Sequence, residues 1–395
     1  MAEDSVDRVP WTDDREIWFR QENFIFDYLI RDCRSSVPRL PSSTKGLRNP
    51  YHSPVNSCRH FPYLSPMNIL GIESSCDDTA AAVLSDGKIL SNVIASQTVH
   101  EQFGGVVPEL ASRAHNKTIW ATVDQALETS GLEMPDIDAI AVAKGPGLMG
   151  SLLVGLGFAK GLSLSWDKPL IGVNHIDAHM YANFIDHEEV FPFVALIVSG
   201  GHTRLVHVPK PFEHNLLGKT RDDAAGEAFD KIGKMLELPY PGGPQVDKHS
   251  QTGDPTFVDF PRAMAKKGLD FSFSGLKTSV LYYLRDQNEE FIKEHLDDIC
   301  ASVSAAISDV LVIKLRRAIR KTGVKEVMVA GGVSANSMLR KKVLAMAEKE
   351  RVNVMIPAME YCTDNAAMIA KAGEMKARLG QFDGPELKPF ASMRV

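Results

Sequence analysis

The sequence predicts an α/β fold of two lobes, related by duplication, that face each other across a cleft. Residues 67–96 read as three strands joined by short turns, and residues 193–220 repeat that order about 125 residues later. Each segment is followed by a helical pattern and then by strands that alternate with helices. The order of the elements carries this prediction, because residue identity between the two halves is slight.

In the first half, a helix is predicted over residues 108–131, where Pro108 occupies a first-turn position. The pattern that follows predicts a strand, a helix and a second strand over residues 136–147, 150–166 and 169–175. The second half repeats this alternation. Its elements are a helix at 224–238, a strand at 326–336 that runs into a Ser-capped helix at 337–350, and a strand at 352–357.

Composition changes near Met67, which is itself a candidate start codon. Residues 32–66 are rich in Ser, Pro and Arg without an apolar period, which is typical of a flexible segment. Residues 15–30 are a candidate for an amphipathic turn and a half or for a docking segment. The predicted parts are a flexible extension (1–66), a first lobe (67–188), a second lobe (189–359) with an inserted helical subdomain near 240–288, and a C-terminal helix and tail that return to the first lobe (360–395).

Composition limits the function classes. The net charge of −6 excludes a protein coated in basic residues, so a nucleic-acid partner must meet a local patch or another subunit. The five cysteines lack CxxC spacing, which favours reduced thiols over a disulfide scaffold. No apolar run is long enough to span a bilayer, and the acidic start fits neither a secretory nor a mitochondrial signal. We therefore expect a cytoplasmic protein without a membrane contact.

Two turns occupy equivalent places in the two halves. The turn "GIESSCDDT" places the carboxylates of Glu73, Asp77 and Asp78 after a buried strand. Its counterpart, "IVSGGHT", contains Gly200 and Gly201, whose backbone amides can approach a phosphate closely. Each turn alone is equally compatible with a plain hairpin, but as a matched pair they predict two phosphate loops that face one cleft.

A third glycine pair, in "VMVAGGVSAN", ends a strand before a helix, where Asn336 can reach a ribose or a base. The segment "AAGEAFDKIGKMLELPYPGGPQVD" adds Asp230, Gly243 and Asp247, and Asp230 is a candidate for binding ribose hydroxyls. From this segment alone, a solvent-facing Asp230 is an equal alternative.

The segment "HIDAH" places His175 and His179 one helical turn apart, so that both imidazoles project from the same face. Such a pair is more often structural than metal-binding, and the missing Glu argues against a metalloprotease. A carboxylate is the commonest third ligand, and Asp364 in "EYCTDNAAM" is a candidate. The alternative for Asp364 is a capping role at the last helix.

Most basic clusters, such as "KLRRAIRK" with Lys314, Arg316, Arg317, Arg320 and Lys321, read as solvated helix faces. The cluster in "AKKGLDFSFSGLKT" is more suggestive of RNA contact, because Phe271 and Phe273 lie between lysines that include Lys277 and could stack on bases beside positive charge.

Together, these residues resemble the TsaD-type tRNA threonylcarbamoyladenosine transferases from about Met67 to about Gly380. The motifs that carry the resemblance are "GIESSCDDT", "GGVVPELASRAH", "GPGLMGSLLVG", "HIDAH", "LIVSGGHT", "DDAAGEAFDK", "YPGGPQVD", "FSFSGLKT", "GGVSAN" and "YCTDNAAM". Residues 1–66 lie outside it. One departure is Asn174, where several relatives carry a further His.

The resemblance implies the two-lobed fold of actin, Hsp70 and sugar kinases, with His175, His179 and Asp364 as ligands of a divalent metal, iron or zinc. It matches the following residues to nucleotide contacts: Ile197, Val198, Ser199, Gly200, Gly201, Asp230, Gly243, Asp247 and Asn336. The implied reaction transfers threonylcarbamoyl from threonylcarbamoyl-AMP to N6 of adenosine 37 in tRNAs that read ANN codons.

Within that reaction, Asp77 and Asp78 are candidates for accepting the amine proton, with Asp77 favoured, and Glu73 is a further catalytic candidate; Lys277 and Phe273 are candidate tRNA contacts. The implied partners are a TsaB-like paralogue and a TsaE-like ATPase, or a second copy in a homodimer. The alternatives are an ATP-dependent small-molecule kinase and a non-catalytic ATPase of the same fold.

Overall fold

A computed structural model describes residues 67–97, 100 and 105–392 of the chain. The predicted N-terminal extension, with the candidate docking segment at residues 15–30, therefore lies outside the described residues. Two five-stranded sheets form within the described part, with the orders β3-β2-β1-β4-β5 and β10-β9-β6-β7-β8. The strands are β1 Asn68–Glu73, β2 Thr79–Ser85, β3 Lys88–Ala95, β4 Ala139–Gly145, β5 Leu170–Asn174, β6 Phe193–Val198, β7 Thr203–Lys210, β8 Glu213–Lys219, β9 Glu326–Ala330 and β10 Asn353–Met355.

The two sheets share one topology, which confirms the predicted duplicated α/β fold. In each, the first strand pairs antiparallel with the second and parallel with the fourth. The third strand pairs antiparallel with the second, and the fifth lies parallel to the fourth. Corresponding residues of the halves therefore emerge at corresponding sheet edges.

The helices cover both sheets. They are α1 Pro108–Ser130, α2 Met149–Trp166, α3 His175–Tyr181, α4 Ala225–Met235, α5 Gly242–Ser250, α6 Ser274–Arg285, α7 Glu289–Glu294, α8 Leu296–Thr322, α9 Ser337–Glu350 and α10 Ala366–Arg378. Within the described part of the chain, no helix is both long and apolar enough to cross a membrane.

Three apolar cores hold these layers together. One core lies between the two sheets and contains α3, α10 and the facing sides of both sheets. A second core joins α1 and α2 to the outer side of the first sheet, and a third joins α4, α5, α8 and α9 to the outer side of the second sheet. The site residues follow the carboxyl ends of the parallel strands β1, β5, β6, β9 and β10, where ligands bind in open α/β sheets.

One predicted detail was wrong. The helix α9 is capped by Asn336, whose side-chain oxygen accepts from the Leu339 amide at 2.9 Å, and not by a serine. Asp247 reinforces this cap, because its carboxylate accepts from the amide and the hydroxyl of Ser337. Both side chains are therefore committed to the helix end as acceptors.

Candidate functional site

The His pair and the distant Asp364 converge. His175 is the first residue of α3, and its Nε2 lies 3.5 Å from Asp364 Oδ1; the Nε2 of His179 lies 3.1 Å from the same oxygen. One ligand atom from each residue lies within 4.8 Å of the others. The two rings meet edge to face, with centroids 4.7 Å apart. Residues nearly 190 positions apart in the chain thus form one cluster.

His175 and His179 lie on α3, and Asp364 lies just before α10; other residues cap these two helices. The Asn174 side chain caps α3 by accepting from the Ile176 amide, and Asn365 caps α10 by accepting from Met368. Asp364 therefore does not cap α10, which removes the structural alternative considered for it. Its carboxylate is free to face the imidazoles.

Glu73 orients the first imidazole. Its carboxylate accepts from Nδ1 of His175 at 3.0 Å and from the amide of Ser75, and the side chain is fully buried. This bond fixes the ring with Nε2 towards Asp364, as carboxylates behind metal-binding histidines do. Glu73 thus contacts the ring nitrogen of His175 that faces away from Asp364, which is the contact of a positioning residue, and its predicted catalytic role stays a prediction.

The electrostatics of the cluster favour a cation. Burial alone would lower the pKa of His175, but the carboxylates of Asp364 and Glu73 outweigh it and raise that pKa to about 9. Burial would raise the pKa of Asp364, yet the imidazoles of His175 and His179 lower it. The buried carboxylate of Glu73 and the partly exposed carboxylate of Asp364 thus stabilise positive charge at this position, whether it comes from a proton or a metal ion.

The donor set fits a divalent metal. Bonds of about 2.0–2.2 Å to nitrogen and oxygen in a tetrahedral site separate the ligand atoms by roughly 3.3 Å. The observed separations of 3.1 and 3.5 Å bracket that value. In addition, Nδ1 of His179 is buried and has no hydrogen-bond partner among the described residues, so none of them constrains the ring from that side. Three protein ligands leave a further position for a substrate oxygen.

The turn after β1 is held from two helices. The carbonyl of Cys76 accepts from Nε2 of His115 on α1 at 3.0 Å and from the hydroxyl of Ser151 on α2 at 3.1 Å. The amide of Leu148 bonds the Ser75 carbonyl, and a side chain at Gly147 would clash with that same carbonyl. These contacts fix the turn that presents Asp77 and Asp78. Sequence reasoning missed His115 and Ser151, although both lie in the motifs that carry the resemblance.

The pKa values of Asp78 and Cys76 are both raised. Burial, with a smaller contribution from the charge of Asp77, raises the pKa of Asp78 to about 6, although a hydrogen bond from Ser96 lowers it. Burial and then the charges of Asp77 and Asp364 raise the pKa of the Cys76 thiol far above its usual range. Cys76 is therefore no nucleophile, because the thiolate is the reactive form.

Tyr240 approaches this turn from the second lobe. Burial and then the negative charges of Asp230 and Asp77 raise the pKa of its hydroxyl to about 12. Sequence reasoning did not identify it, because only the fold brings residues 76–78 near residue 240.

The glycine-rich turn of the second lobe is open to solvent. In the part of the chain that the structure describes, a side chain at Gly200 or Gly201 would meet no atom within 4 Å. Gly226 and Gly331, in contrast, approach the carbonyls of Ser199 and Val198 too closely for a side chain. A bulkier residue at Gly226 or Gly331 would therefore displace the turn. The side chains of Ile197 and Val198 are fully buried in β6, so only the turn that follows them faces the cleft.

The other predicted nucleotide contacts lie on three helices: Asp230 in the middle of α4, Gly243 and Asp247 in the first turn and the middle of α5, and Asn336 at the N-terminal cap of α9. Asp230 on α4 accepts from the amide of Gly243 at 2.9 Å, which ties α4 to α5. His202 lies near the metal-ligand candidates. Burial, then the charges of Arg204, His175 and His179, lower its pKa to about 4, so it is neutral at pH 7. It is a further polar group that the motif "SGGHT" contained but that sequence reasoning did not single out.

The predicted tRNA contacts need correction. Phe273 is only 1% exposed and stacks on the buried Phe271, so it cannot stack on a base. Lys277 forms an ion pair with Asp223 at 2.7 Å, which fastens α6 to the segment before α4. Lys314, predicted on a solvated helix face, is fully buried.

The fold and the site define a two-lobed α/β protein with a cluster of two imidazoles and a carboxylate in the cleft between the lobes. The family model described as "tRNA N6-adenosine threonylcarbamoyltransferase" (TsaD) matches residues 88–371. The chain belongs to this family of transferases.

Curated relatives support the same assignment. The tRNA N6-adenosine threonylcarbamoyltransferase of Salinibacter ruber is 55% identical over 335 residues, which are 83% of this chain and all of the relative. That of Christiangramia forsetii is 52% identical over 317 residues, covering 78% of this chain and 93% of the relative. Among solved structures, the HypF of T. kodakarensis is similar with a TM-score of 0.54 and 14% identity, over 81% of this chain and 48% of HypF. That likeness concerns the fold alone.

Proposed function

We propose that the protein transfers the threonylcarbamoyl group from threonylcarbamoyl-AMP to N6 of adenosine 37 in tRNAs that read ANN codons. The observation that carries the proposal is the His175–His179–Asp364 cluster in the interlobe cleft, in a chain of this family. A small-molecule kinase binds Mg²⁺ chiefly through carboxylates and phosphates, so the two imidazoles count against that alternative.

The glycine-rich turn suits the leaving group. The exposed backbone at Gly200 and Gly201 can bind the phosphate of the adenylate, and the N-terminal end of α9, beside Asn336, lies at the neighbouring strand end. Asp230, whose pKa is raised by burial, accepts from the backbone amides of Gly243 and Gly242, and its carboxylate can also accept from a ribose hydroxyl. Ile197 and Val198 contribute through the backbone of β6, which leads into this turn. Asp247 contributes through its bonds to Ser337 at the start of α9.

The first lobe contains the carboxylates that we propose for accepting the proton of the adenosine amine. The amine of adenosine is a weak nucleophile because its lone pair is delocalised into the ring, so a carboxylate that accepts its proton assists attack. Asp77 and Asp78 lie on the rigidly held turn beside the cluster, and we assign Asp77 as the acceptor. Glu73 acts through His175, which it orients.

A divalent metal held by His175, His179 and Asp364 would polarise a carbamoyl or phosphate oxygen of the substrate as a Lewis acid. Imidazole and carboxylate donors suit both iron(II) and zinc, and we favour iron. His202, neutral at pH 7, can donate a hydrogen bond to the substrate without competing for the cation.

The proposal is tested by reconstitution. Purified protein is incubated with threonine, bicarbonate, ATP, the enzyme that makes the adenylate, the implied partners and unmodified tRNA, and the nucleosides are analysed by mass spectrometry. We expect threonylcarbamoyladenosine at position 37, in amounts that depend on this protein. Its absence, with an active relative as the positive control, would refute the proposed reaction; formation of a phosphorylated small molecule instead would favour a kinase.

We further propose a TsaB-like paralogue as a partner on the outer face of α1 and α2, with a TsaE-like ATPase joining that assembly. Large apolar side chains are exposed on this face, including Leu153 at 55% and Leu164 at 72%, together with Trp120 and Met149. A side chain at Gly157 or Gly161 would meet none of the described residues within 4 Å, so α2 also offers a flat surface for a second helix. A homodimer would use the same face.

Replacing Leu153 and Leu164 with Glu is expected to weaken association at least about tenfold, since burying two charges in an apolar interface costs several kcal/mol. Association is measured by analytical ultracentrifugation with and without the paralogue. The control is Leu344→Glu on α9 of the second lobe, where the leucine is 51% exposed. Unchanged association of the double variant, or an equal loss in the control, would contradict this interface.

A further inference from the structure

A basic surface lies on the second lobe, outside the site described above. It consists of Lys219 and Arg221 at the end of β8 and of Lys266 and Lys267 in the loop 262–268, all exposed. The two segments are joined, because the amide of Phe271 bonds the Lys219 carbonyl and the amide of Arg221 bonds the Phe271 carbonyl. Four cations therefore share one continuous surface.

This loop is held in place by one buried and one half-buried cation of α8. The ammonium of Lys314, fully buried on α8, donates to the carbonyls of Met264, Lys267 and Gly268. Arg317, one turn further along α8, donates to the carbonyls of Gly268 and Ala265. Burying an ammonium is costly unless all its donors are bonded, and here three carbonyls bond all three. The protein thus fixes the backbone from which Lys266 and Lys267 extend.

The positive charge of this surface is only partly compensated. Arg221 pairs with Asp270 at 3.0 Å, although the arginine side chain remains 65% exposed. No ion pair is found for Lys219, Lys266 or Lys267 with the residues that the structure describes. In a chain of net charge −6, a local cluster of this kind is the form that an electrostatic contact with an anionic partner must take.

The surface is connected to the cleft. The amide of Thr220, between Lys219 and Arg221, bonds the carbonyl of Thr203, and Thr203 follows His202 directly. The hydroxyl of Thr203 accepts from the Ala225 amide at the start of α4. A ligand lying along the basic surface would therefore have one end at the glycine-rich turn and the metal-ligand candidates.

We propose that this basic surface binds the phosphate backbone of the tRNA stem while the loop nucleotide enters the cleft. The inference rests on the proposed function, which makes tRNA the substrate. A stem must be held through its backbone, since the base edges of an A-form helix are poorly accessible, and spaced lysines on a fixed loop bind phosphates without reading sequence. The role predicted for Lys277 and Phe273 passes to Lys219, Arg221, Lys266 and Lys267.

The test uses the full chain and an unmodified tRNA transcript that reads an ANN codon. Filter binding and fluorescence anisotropy measure Kd as a function of salt for the wild type and for the variant Lys266→Glu/Lys267→Glu. We expect Kd to rise about tenfold or more, and the slope of log K against log salt to become shallower by about two, one for each lost phosphate contact. In the transfer assay, KM for tRNA should rise more than kcat falls.

The control is Lys88→Glu/Lys349→Glu, which makes the same change of charge at two exposed lysines far from the cleft. Lys88 follows the turn at the opposite end of the first sheet from Glu73, and Lys349 lies in the last turn of α9. If tRNA affinity falls tenfold in both double variants, the cause is the change in net charge, and the proposal is overturned. Unchanged tRNA affinity in Lys266→Glu/Lys267→Glu would also overturn it. A wild type that binds tRNA through this surface but forms no threonylcarbamoyladenosine would instead refute the proposed reaction.

Discussion

Replacing Asp364 with Asn is expected to remove the tightly bound metal and to lower the transfer rate about 100-fold or more. The asparagine keeps the shape of the side chain but loses the charge that balances two buried imidazoles and a cation. Lewis-acid stabilisation of a transition state is worth several kcal/mol, and about 3 kcal/mol corresponds to about 100-fold in rate. The measurements are metal content by mass spectrometry, on protein purified without a His tag, and single-turnover transfer.

The same variant has a second, independent readout. Because Asp364 contributes to the raised pKa of His175, its loss should lower that pKa in metal-free protein, which NMR titration of the imidazole detects. The matched control is Glu360→Gln, an exposed carboxylate in the same segment, which should keep metal, rate and pKa. An Asp364→Asn protein with full metal content and full activity would show that the cluster is not the reaction centre.

The sequence predicts the architecture well because the fold depends on local patterns. Helix α9 occurs at the predicted residues, and helix α1 ends one residue before its predicted end. Apolar periodicity and a proline at the first turn determine such elements within a window of about one helix. The exception is the cap of α9: the choice between Asn336 and a neighbouring serine depends on Asp247, which is some 90 residues away and already bonded to Ser337.

The site is predicted less completely, because its geometry is built by contacts between distant segments. His175 and His179 are neighbours on one helix and can be identified from spacing, whereas the freedom of Asp364 depends on Asn365 taking the cap. The orienting role of Glu73, across about 100 residues, leaves no local signal. For Phe273 the local sequence is misleading. An aromatic residue between lysines suggests stacking on RNA, but in the fold the side chain of Phe273 is buried.

Asp77→Asn is expected to reduce transfer about 100- to 1,000-fold while leaving the affinity for AMP nearly unchanged. General-base catalysis contributes factors of this size, and the asparagine cannot accept the proton of the attacking amine. AMP affinity should persist because the proposed phosphate contacts lie on the second lobe, at Gly200 and Gly201, whereas Asp77 lies on the first. Single-turnover transfer and calorimetric AMP binding separate the two effects.

The pH dependence distinguishes Asp77 from its neighbour. The charge of Asp77 contributes to the raised pKa of Asp78, about 6, so Asp77→Asn should lower the pKa of Asp78. Any fall of the transfer rate at acid pH that is due to protonation of Asp78 should then occur at lower pH. If Asp78 were the base, Asp77→Asn would keep most of its rate and shift only this limb, whereas Asp78→Asn would lose the rate. Asp86→Asn serves as the control, because it makes the same chemical change in the turn at the far end of the same hairpin, where a left-handed φ of 47° suits asparagine. A rigid turn held by His115 and Ser151 can place only one of two adjacent carboxylates towards the amine, and the two variants decide which one it is.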